Sequence, residues 1–305
     1  MNKILVIGSA NTDMVVKTGK LPLPGETLLG GSFFTNAGGK GANQAVAAAR
    51  LGGHVTLVAK VGKDHFGKQT IEGFKKENID TEYVFIDEST PTGTAIIIVN
   101  AEGENYIVVA PGANANLLPE DIKKVNNISE AEIILMQLEI PMPTIEYIAK
   151  SAKAHHQKLI INPAPAQKLS DEVLDGLFLI TPNETEASFL TGISVTDEAT
   201  ASEAAAVLLN QGVQNVIITL GRQGACFQNR ESKFLVEAPV VQAVDTTAAG
   251  DTFNGALAVA LTEGMAWDKA IQFAVQAATI SVTRMGAQAS VPYRKEIILS
   301  FNRHL

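Results

Sequence analysis

The sequence predicts an α/β fold: a doubly wound, mostly parallel sheet flanked by helices, with a small β-sheet lid inserted near its start. Three observations carry this. From Glu120 onward, short continuous apolar runs at 133–138, 159–161, 177–180 and 216–219 alternate with helical stretches. Such runs are the mark of parallel strands buried on both faces. Each run then delivers polar residues or glycines at its C-terminal end, where ligands sit in open α/β sheets. Finally, two early regions show strand character and no helical period. One comprises 14–17 and 28–34; the other is a hairpin running over 94–100, turning at Glu102-Gly103 and returning over 105–110. They place the lid at approximately 13–36 and 93–109 within a domain spanning 1–305.

Taken in order, Ile4-Leu-Val-Ile7 is a short buried strand ending in Gly8-Ser9. Asn11 and Asp13 follow it and, in extended chain, share one face. An amide and a carboxylate together offer donors and acceptors to a polyol; an Asx turn closing the loop explains the pair equally well. The segment Asn36-Ala-Gly-Gly-Lys-Gly-Ala-Asn43 opens an alanine-rich helix over 44–51. Its glycines allow close backbone approach. Lys40 and Asn43 are the polar residues at that start, and a tight turn with Asn43 solvated is the alternative. Dinucleotide spacing G-x-G-x-x-G is absent, and no Ser or Thr follows Gly39-Lys40 as in a P-loop. Residues 62–68 do match G-x-x-x-x-G-K ahead of an amphipathic helix, but Gln69 stands where Ser or Thr should meet magnesium.

Further on, Glu139, Asn162, the cluster Asn183, Glu184 and Glu186, and the loop 219–224 each follow a strand. The acidic cluster suits magnesium held through water, or simply the acidic first turn of a helix. The stretch Gln242–Gly255 reads as a loop feeding straight into a helix at 252–263, with a second helix at 267–282. Ala248, Ala249 and Gly250 let a ligand approach backbone N–H groups that lack intrahelical acceptors. Such a terminus attracts anions. Asp251 would repel an anion there, so it reads as a base, suited to phosphoryl transfer to a hydroxyl; helix capping is the competing explanation.

Composition narrows the classes. The 305 residues carry a net charge of −8 and are 46% hydrophobic, enough for a sizeable core. Nucleic acid and anionic membranes are disfavoured as partners, since both need basic patches. Phosphate groups must instead be held by local backbone fields. Cys226 is the only cysteine, so no intrachain disulfide or thiolate cage exists. The five histidines show no ligand spacing, no apolar run is long enough to span a bilayer, and the start does not resemble a signal peptide. A cytoplasmic protein is expected.

Asp245-Thr-Thr-Ala-Ala-Gly-Asp251-Thr-Phe-Asn-Gly255 resembles the C-terminal signature of the ribokinase-like sugar kinases, and Asn36-Ala-Gly-Gly-Lys-Gly-Ala-Asn43-Gln-Ala resembles their N-terminal one. The similarity runs nearly end to end, from Gly8-Ser-Ala-Asn11-Thr-Asp13 to Thr283–Pro292. It implies the doubly wound domain with a β lid, and ATP-dependent phosphorylation of D-ribose at O5. By position it implies sugar contacts at Asn11, Asp13, Gly39, Lys40, Asn43 and Glu139, and ATP contacts at Asn183, Thr219, Leu220, Gly221 and Gly224. Gly250 and Asp251, with Ala248 and Ala249, would be anion hole and base. Glu186 would sit near magnesium. Asp245, Thr247, Ser281, Arg284, Gly286 and Ser290 would surround a potassium ion, mainly through backbone carbonyls. Val275 departs from a position where relatives can carry a polar residue near adenine. The apolar hairpin strands and the resemblance together imply a homodimer joined lid to lid.

Overall fold

The computed structural model describes residues 3–102, 104–126 and 128–301. Gly103 of the expected turn and His304 lie outside the described residues. The strands are β1 (Lys3–Ile7), β2 (Asn11–Lys17), β3 (Ser32–Gly38), β4 (His54–Gly62), β5 (Val84–Asp87), β6 (Gly93–Val99), β7 (Asn105–Ala110), β8 (Ile133–Met136), β9 (Lys158–Ile161), β10 (Leu179–Ile180), β11 (Asn215–Thr219), β12 (Ala225–Asn229) and β13 (Lys233–Val236). The α-helices are α1 (Lys40–Arg50), α2 (His65–Lys76), α3 (Pro119–Ile122), α4 (Met142–Ala154), α5 (Asp171–Leu174), α6 (Glu184–Thr191), α7 (Glu198–Asn210), α8 (Ala249–Thr262), α9 (Trp267–Ser281) and α10 (Arg294–Phe301).

The apolar runs become the middle of one sheet, ordered β13-β12-β11-β10-β9-β8-β1-β4-β5. From β11 to β5 every pairing is parallel. Alternation explains why these strands are apolar throughout. In β1, Ile4 and Val6 face the layer that contains α1, α8 and α9, while Leu5 and Ile7 face the layer of α4 and α7. Both faces are covered, so neither admits a polar residue. The antiparallel strands β12 and β13 extend one edge; the sequence suggests only a β-prone run before Gln242 there and does not delimit either strand. Their half-polar composition hides them: Gln228, Asn229 and Lys233 sit among Cys226, Phe227 and Phe234.

The lid is the second sheet, ordered β3-β2-β6-β7. β2 and β6 are parallel; the two outer pairings are antiparallel. Its third strand segment begins later than expected, at Ser32 and not near 28. Gly30 and Gly31 have φ of +102° and +107°, in the left-handed region, which ends the extended chain before them. Asn11, Asp13 and Val15 lie on the lid face that meets the main domain. Phe33, Ile96, Tyr106 and Val108 lie on the other, with Phe33, Tyr106 and Val108 each more than 60% exposed.

Helix starts also differ from expectation. α1 begins at Lys40, so Lys40 and Asn43 belong to the helix. α2 begins at His65, which puts Gly67 and Lys68 inside its first turn. The Asp64 side chain accepts from Gly67 N–H and caps that turn, so no phosphate-cradling loop exists there. α1 and α8 cross at very close range. A Cβ on Gly255 would stand 2.6 Å from Ala47 Cβ and 2.7 Å from the Gln44 carbonyl oxygen. Only glycine lets the two helices approach this far, and this contact brings the polar start of α1 to the start of α8. A cavity of about 480 Å³ lies at the opposite, N-terminal ends of β1 and β4, lined by Lys3, His54, Asp80 and Tyr83 among others. Among the described residues no helix is long and apolar enough to cross a membrane.

Candidate active site

The loop before α8 turns sharply at Ala248, whose φ is +59°, and delivers Asp251 into the first helical turn. The Ala249 N–H turns back to the Thr246 carbonyl at 3.2 Å, and Thr252 N–H already bonds Ala248. The Gly250 and Asp251 N–H groups have no such partner among the described residues. Of the expected anion hole at 248–251, only the Ala249 N–H is thus engaged; the Ala248 N–H likewise has no partner among the described residues. A Cβ on Gly250 would meet nothing within 4 Å, so the approach to these N–H groups is open. Asp251 does not cap the helix with its side chain. Its carboxylate is buried and turned toward α1. There Oδ2 accepts from Asn43 Nδ2 at 2.9 Å and Oδ1 from Gln44 Nε2 at 3.0 Å.

The polyol positions converge on the same place. Glu139, past the end of β8, accepts from Lys40 N–H at 3.0 Å and from the Ser9 hydroxyl at 2.5 Å. It thus supplies the acceptor that α1 lacks, since Gly39 at the N-cap has no side chain to offer. Asn11 accepts from Asn114 Nδ2 at 2.7 Å, and Asn114 Oδ1 in turn holds Ala10 N–H at 2.9 Å. This orients the Asn11 amide with its own N–H₂ free to donate elsewhere. Asp13 packs over Gly38, where a Cβ would stand 2.2 Å from Oδ2. Burial, then the nearby charges of Glu139 and Asp251, push the Asp13 carboxyl up to about 6. Burial disfavours the Lys40 ammonium, yet Asp251, Glu139 and Glu186 outweigh it and hold its pKa above the usual lysine value. One cation thus balances a cleft of carboxylates.

The nucleotide positions line the ends of β10 and β11. Asn183 and Thr219 form an isolated parallel bridge, and Thr219 N–H bonds the Pro182 carbonyl at 3.0 Å. Residues 221–223 make one tight turn, closed by Leu220 N–H on the Gly224 carbonyl at 2.8 Å. Asn183 and Glu186 form a reciprocal capping box at the start of α6, with bonds of 2.8 and 2.9 Å. This occupies Glu186 Oε2 and leaves Oε1 unengaged among the described contacts. Burial raises the Glu186 pKa, against the lowering effects of the Asn183 N–H and Lys40. No cluster of three or more His, Cys, Asp or Glu side chains fit to hold a metal is found among the described residues. Val275 is buried on α9.

Asp245 does more than close its own loop. Oδ1 accepts from Thr247 N–H at 2.9 Å and Oδ2 from Gly286 N–H at 2.8 Å, so the two distant segments meet. Burial opposes ionisation there, but these bonds and the Thr247 hydroxyl hold the carboxyl below its usual range. Ser281 and Ser290 are buried and bond the Ala278 and Ala287 carbonyls. The Arg284 guanidinium pairs with Glu296 at 2.5 Å; being a cation without acceptors it could not ligate an ion, so only the Arg284 carbonyl could serve one.

The sequence pattern of the pfkB family carbohydrate kinases matches residues 1–294. The chain belongs to this family of carbohydrate kinases. A ribokinase of Haemophilus influenzae is 45% identical to it over 306 residues, covering 100% of both chains. Among solved structures, a ribokinase from Thermotoga maritima superimposes with a TM-score of 0.91 at 40% identity, covering 99% of this chain and 100% of that one. The ribokinase of Arabidopsis thaliana, solved in complex with ribose and ATP, has a TM-score of 0.91 at 35% identity, covering 97% of each chain.

This carbohydrate kinase site also contains residues that the sequence analysis passes over. Asn114, Gln44, Gln137, Thr181 and Asn254 are buried and hydrogen-bonded around the positions above, together with Ser9 and Asn162, which the sequence marks only as strand-end residues. One signal was available: Gln137, Asn162 and Thr181 each stand one residue past the end of a buried strand.

Asp13 gives the site a pH signature. Ionised, its carboxylate could accept hydrogen bonds from hydroxyls of a carbohydrate bound there; protonated, it loses acceptor capacity. The KM for the carbohydrate should rise as pH falls through about 6, steepening toward about tenfold per unit below it. Asp13→Asn should raise KM throughout and remove the inflection. Steady-state kinetics across that range check this, and a wild-type KM that stays flat overturns it.

Proposed function

We propose that this carbohydrate kinase transfers the γ-phosphoryl group of ATP to the O5 hydroxyl of D-ribose, giving D-ribose 5-phosphate and ADP. The observation that carries the reaction type is Asp251: a buried carboxylate one residue past Gly250, beside open backbone N–H groups at a helix start. Each of its oxygens accepts one amide donor and keeps capacity for a hydroxyl proton. As the O5–phosphorus bond forms and the bond to the ADP oxygen breaks, the proton passes to Asp251. A carboxylate is too weak a base to ionise an alcohol beforehand, so this transfer is late. The Gly250 and Asp251 N–H groups stabilise charge on the moving phosphoryl group.

Ribose as acceptor is supported by the named relatives and by the acceptor positions. Asn11, Asp13, Lys40, Asn43 and Glu139 offer amides and charges to a small polyol, and no aromatic ring for a nucleobase. Asp251→Asn should lower kcat by about 10²–10⁴-fold with little loss of ribose affinity by calorimetry. Near-normal turnover in that variant rejects the assignment. A panel of pentoses, hexoses and nucleosides with ATP decides the acceptor. A preference for another sugar or a nucleoside replaces ribose, and ribose binding without ADP release makes the protein a sensor.

Magnesium bound with ATP would neutralise phosphate charge, and the unengaged oxygen of Glu186 would hold its water shell. Potassium fits the 245–290 region, where Asp245 already ties together the segments whose carbonyls would surround it. Fixing that loop fixes the Gly250 and Asp251 N–H groups, so the effect falls on turnover more than on sugar affinity. In a buffer with only an organic cation, added potassium chloride should raise kcat several-fold. An unchanged rate, in wild type and Asp245→Ala alike, removes the ion.

The outer lid face, with Phe33, Ile96, Tyr106 and Val108, suits a second copy of this chain, giving a cytoplasmic homodimer. Light scattering at micromolar concentration should give twice the chain mass, and Tyr106→Asp with Val108→Asp should give monomer. A monomeric wild type overturns it.

A further inference from the structure

We propose that Gln44 is a positioning residue for the base: a buried one-way row of amides runs from the sheet to the Asp251 carboxylate and fixes the face it turns to the acceptor. The inference rests on the reading of Asp251 as base. Gln44 Nε2 donates to Asp251 Oδ1 at 3.0 Å and to Asn162 Oδ1 at 3.1 Å. Gln137 Nε2 donates to Gln44 Oε1 at 2.7 Å, and Asn162 Nδ2 to the Thr181 carbonyl at 3.0 Å. All of these residues are more than nine-tenths buried. Gln137, Asn162 and Thr181 are the first residues beyond β8, β9 and β10, three adjacent strands, so the row is built across the sheet.

Its direction follows from charge. An ionised carboxylate only accepts hydrogen bonds, so Gln44 must present nitrogen to Asp251 and oxygen to Gln137. Gln137 must then give its own nitrogen, and its oxygen is left over. That oxygen has no hydrogen-bond partner among the protein atoms. It lies against Gly8, the residue after β1, where a Cβ would stand 2.2 Å away. Flipping Gln137 to relieve the orphan would set two oxygens face to face at the 2.7 Å contact. A buried orphan acceptor is costly; here it marks where a row oriented by Asp251 ends.

The same row reaches the anion hole. The Thr181 hydroxyl donates to Asn254 Oδ1 at 2.6 Å, and Asn254 Nδ2 donates to the Gly250 carbonyl at 2.8 Å. Base and hole are therefore referenced to one strand end. Asp13, Lys40 and Glu186 are charged groups that act on Asp251 from β2, α1 and α6, and none hydrogen-bonds it among the described residues. Orientation falls to Gln44 and Asn43.

The test is steady-state kinetics with ATP and ribose on the full chain, with folding checked by circular dichroism and Tm. Gln44→Leu should lower kcat by about 10- to 100-fold, with both KM values within about threefold of wild type. Gln137→Met, which touches neither substrate nor Asp251, should lower kcat in the same direction by a smaller factor. Gln44→Glu places a second carboxylate at hydrogen-bond distance from Asp251, where the two cannot both ionise freely. The acid limb of its kcat profile should move to higher pH, a shift that a packing role does not produce. If Gln44→Leu fails to fold, the other two variants decide. Near-wild-type kcat in the folded variants, with an unmoved acid limb, overturns the inference. Asp251→Asn separates the two readings: if it stays active, the base assignment falls and the inference with it. If it is inactive while the Gln44 and Gln137 variants are normal, only the positioning role falls.

Discussion

The reaction centre depends on one contact, the close crossing of α1 and α8 at Gly255. With a normal interhelical distance, Asn43 and Gln44 would not reach Asp251, and a buried carboxylate without donors would cost several kcal/mol or lose its charge. The crossing also sets two helix N-termini into one cleft. The start of α1 meets Glu139; the start of α8 presents the open N–H groups of Gly250 and Asp251. Helix ends thus supply positive field where the sequence supplies little positive charge. A chain with net charge −8 could accommodate phosphates in this way, with the Lys40 ammonium amid Asp251, Glu139 and Glu186.

Much of this was legible in the sequence. Strands such as Ile133–Met136 announce themselves because both of their faces are covered, and residues just past them become site residues because the sheet is parallel. Asp251 was legible through the small residues before it, Asp245 only through the resemblance to the sugar kinases. The amide row was not. Gln44 and Gln137 are 93 positions apart, and their meeting depends on the pairing of β8 beside β1, on the α1–α8 crossing and on amide orientation. Nothing in the local sequence encodes any of these. Glu139 shows the same limit: a strand-end carboxylate invites a ligand role, yet one of its oxygens serves an uncapped helix. The late start of β3 was hidden for a different reason. Leu28 and Leu29 look like strand, while the two glycines after them take conformations that end it.

The site also retains features that favour geometry over stability. Ala248 holds a left-handed conformation, at a cost of about 1 kcal/mol. Asn43 Oδ1 and Gln137 Oε1 are buried without protein partners. Comparable features occur away from the site too, in the left-handed Asn78 and His156 and the unpartnered Gln157, Gln211 and Gln276 oxygens, so what distinguishes Ala248, Asn43 and Gln137 is their place beside Asp251.

The division of labour between β2 and the amide row has an evolutionary consequence. Asn11 and Asp13, the proposed acceptor contacts, sit on a lid strand whose outward neighbours carry no part of the row. Asp251 and Gly250 are anchored through Thr181, Asn162 and Gln137 to the ends of three core strands. Substitutions in the lid can therefore explore new acceptors without loosening the machinery of transfer, whereas a side chain added at Gly8 or Gly255 strikes that machinery directly. Descent with changed specificity has a permitted route through this architecture, and that route runs along the lid.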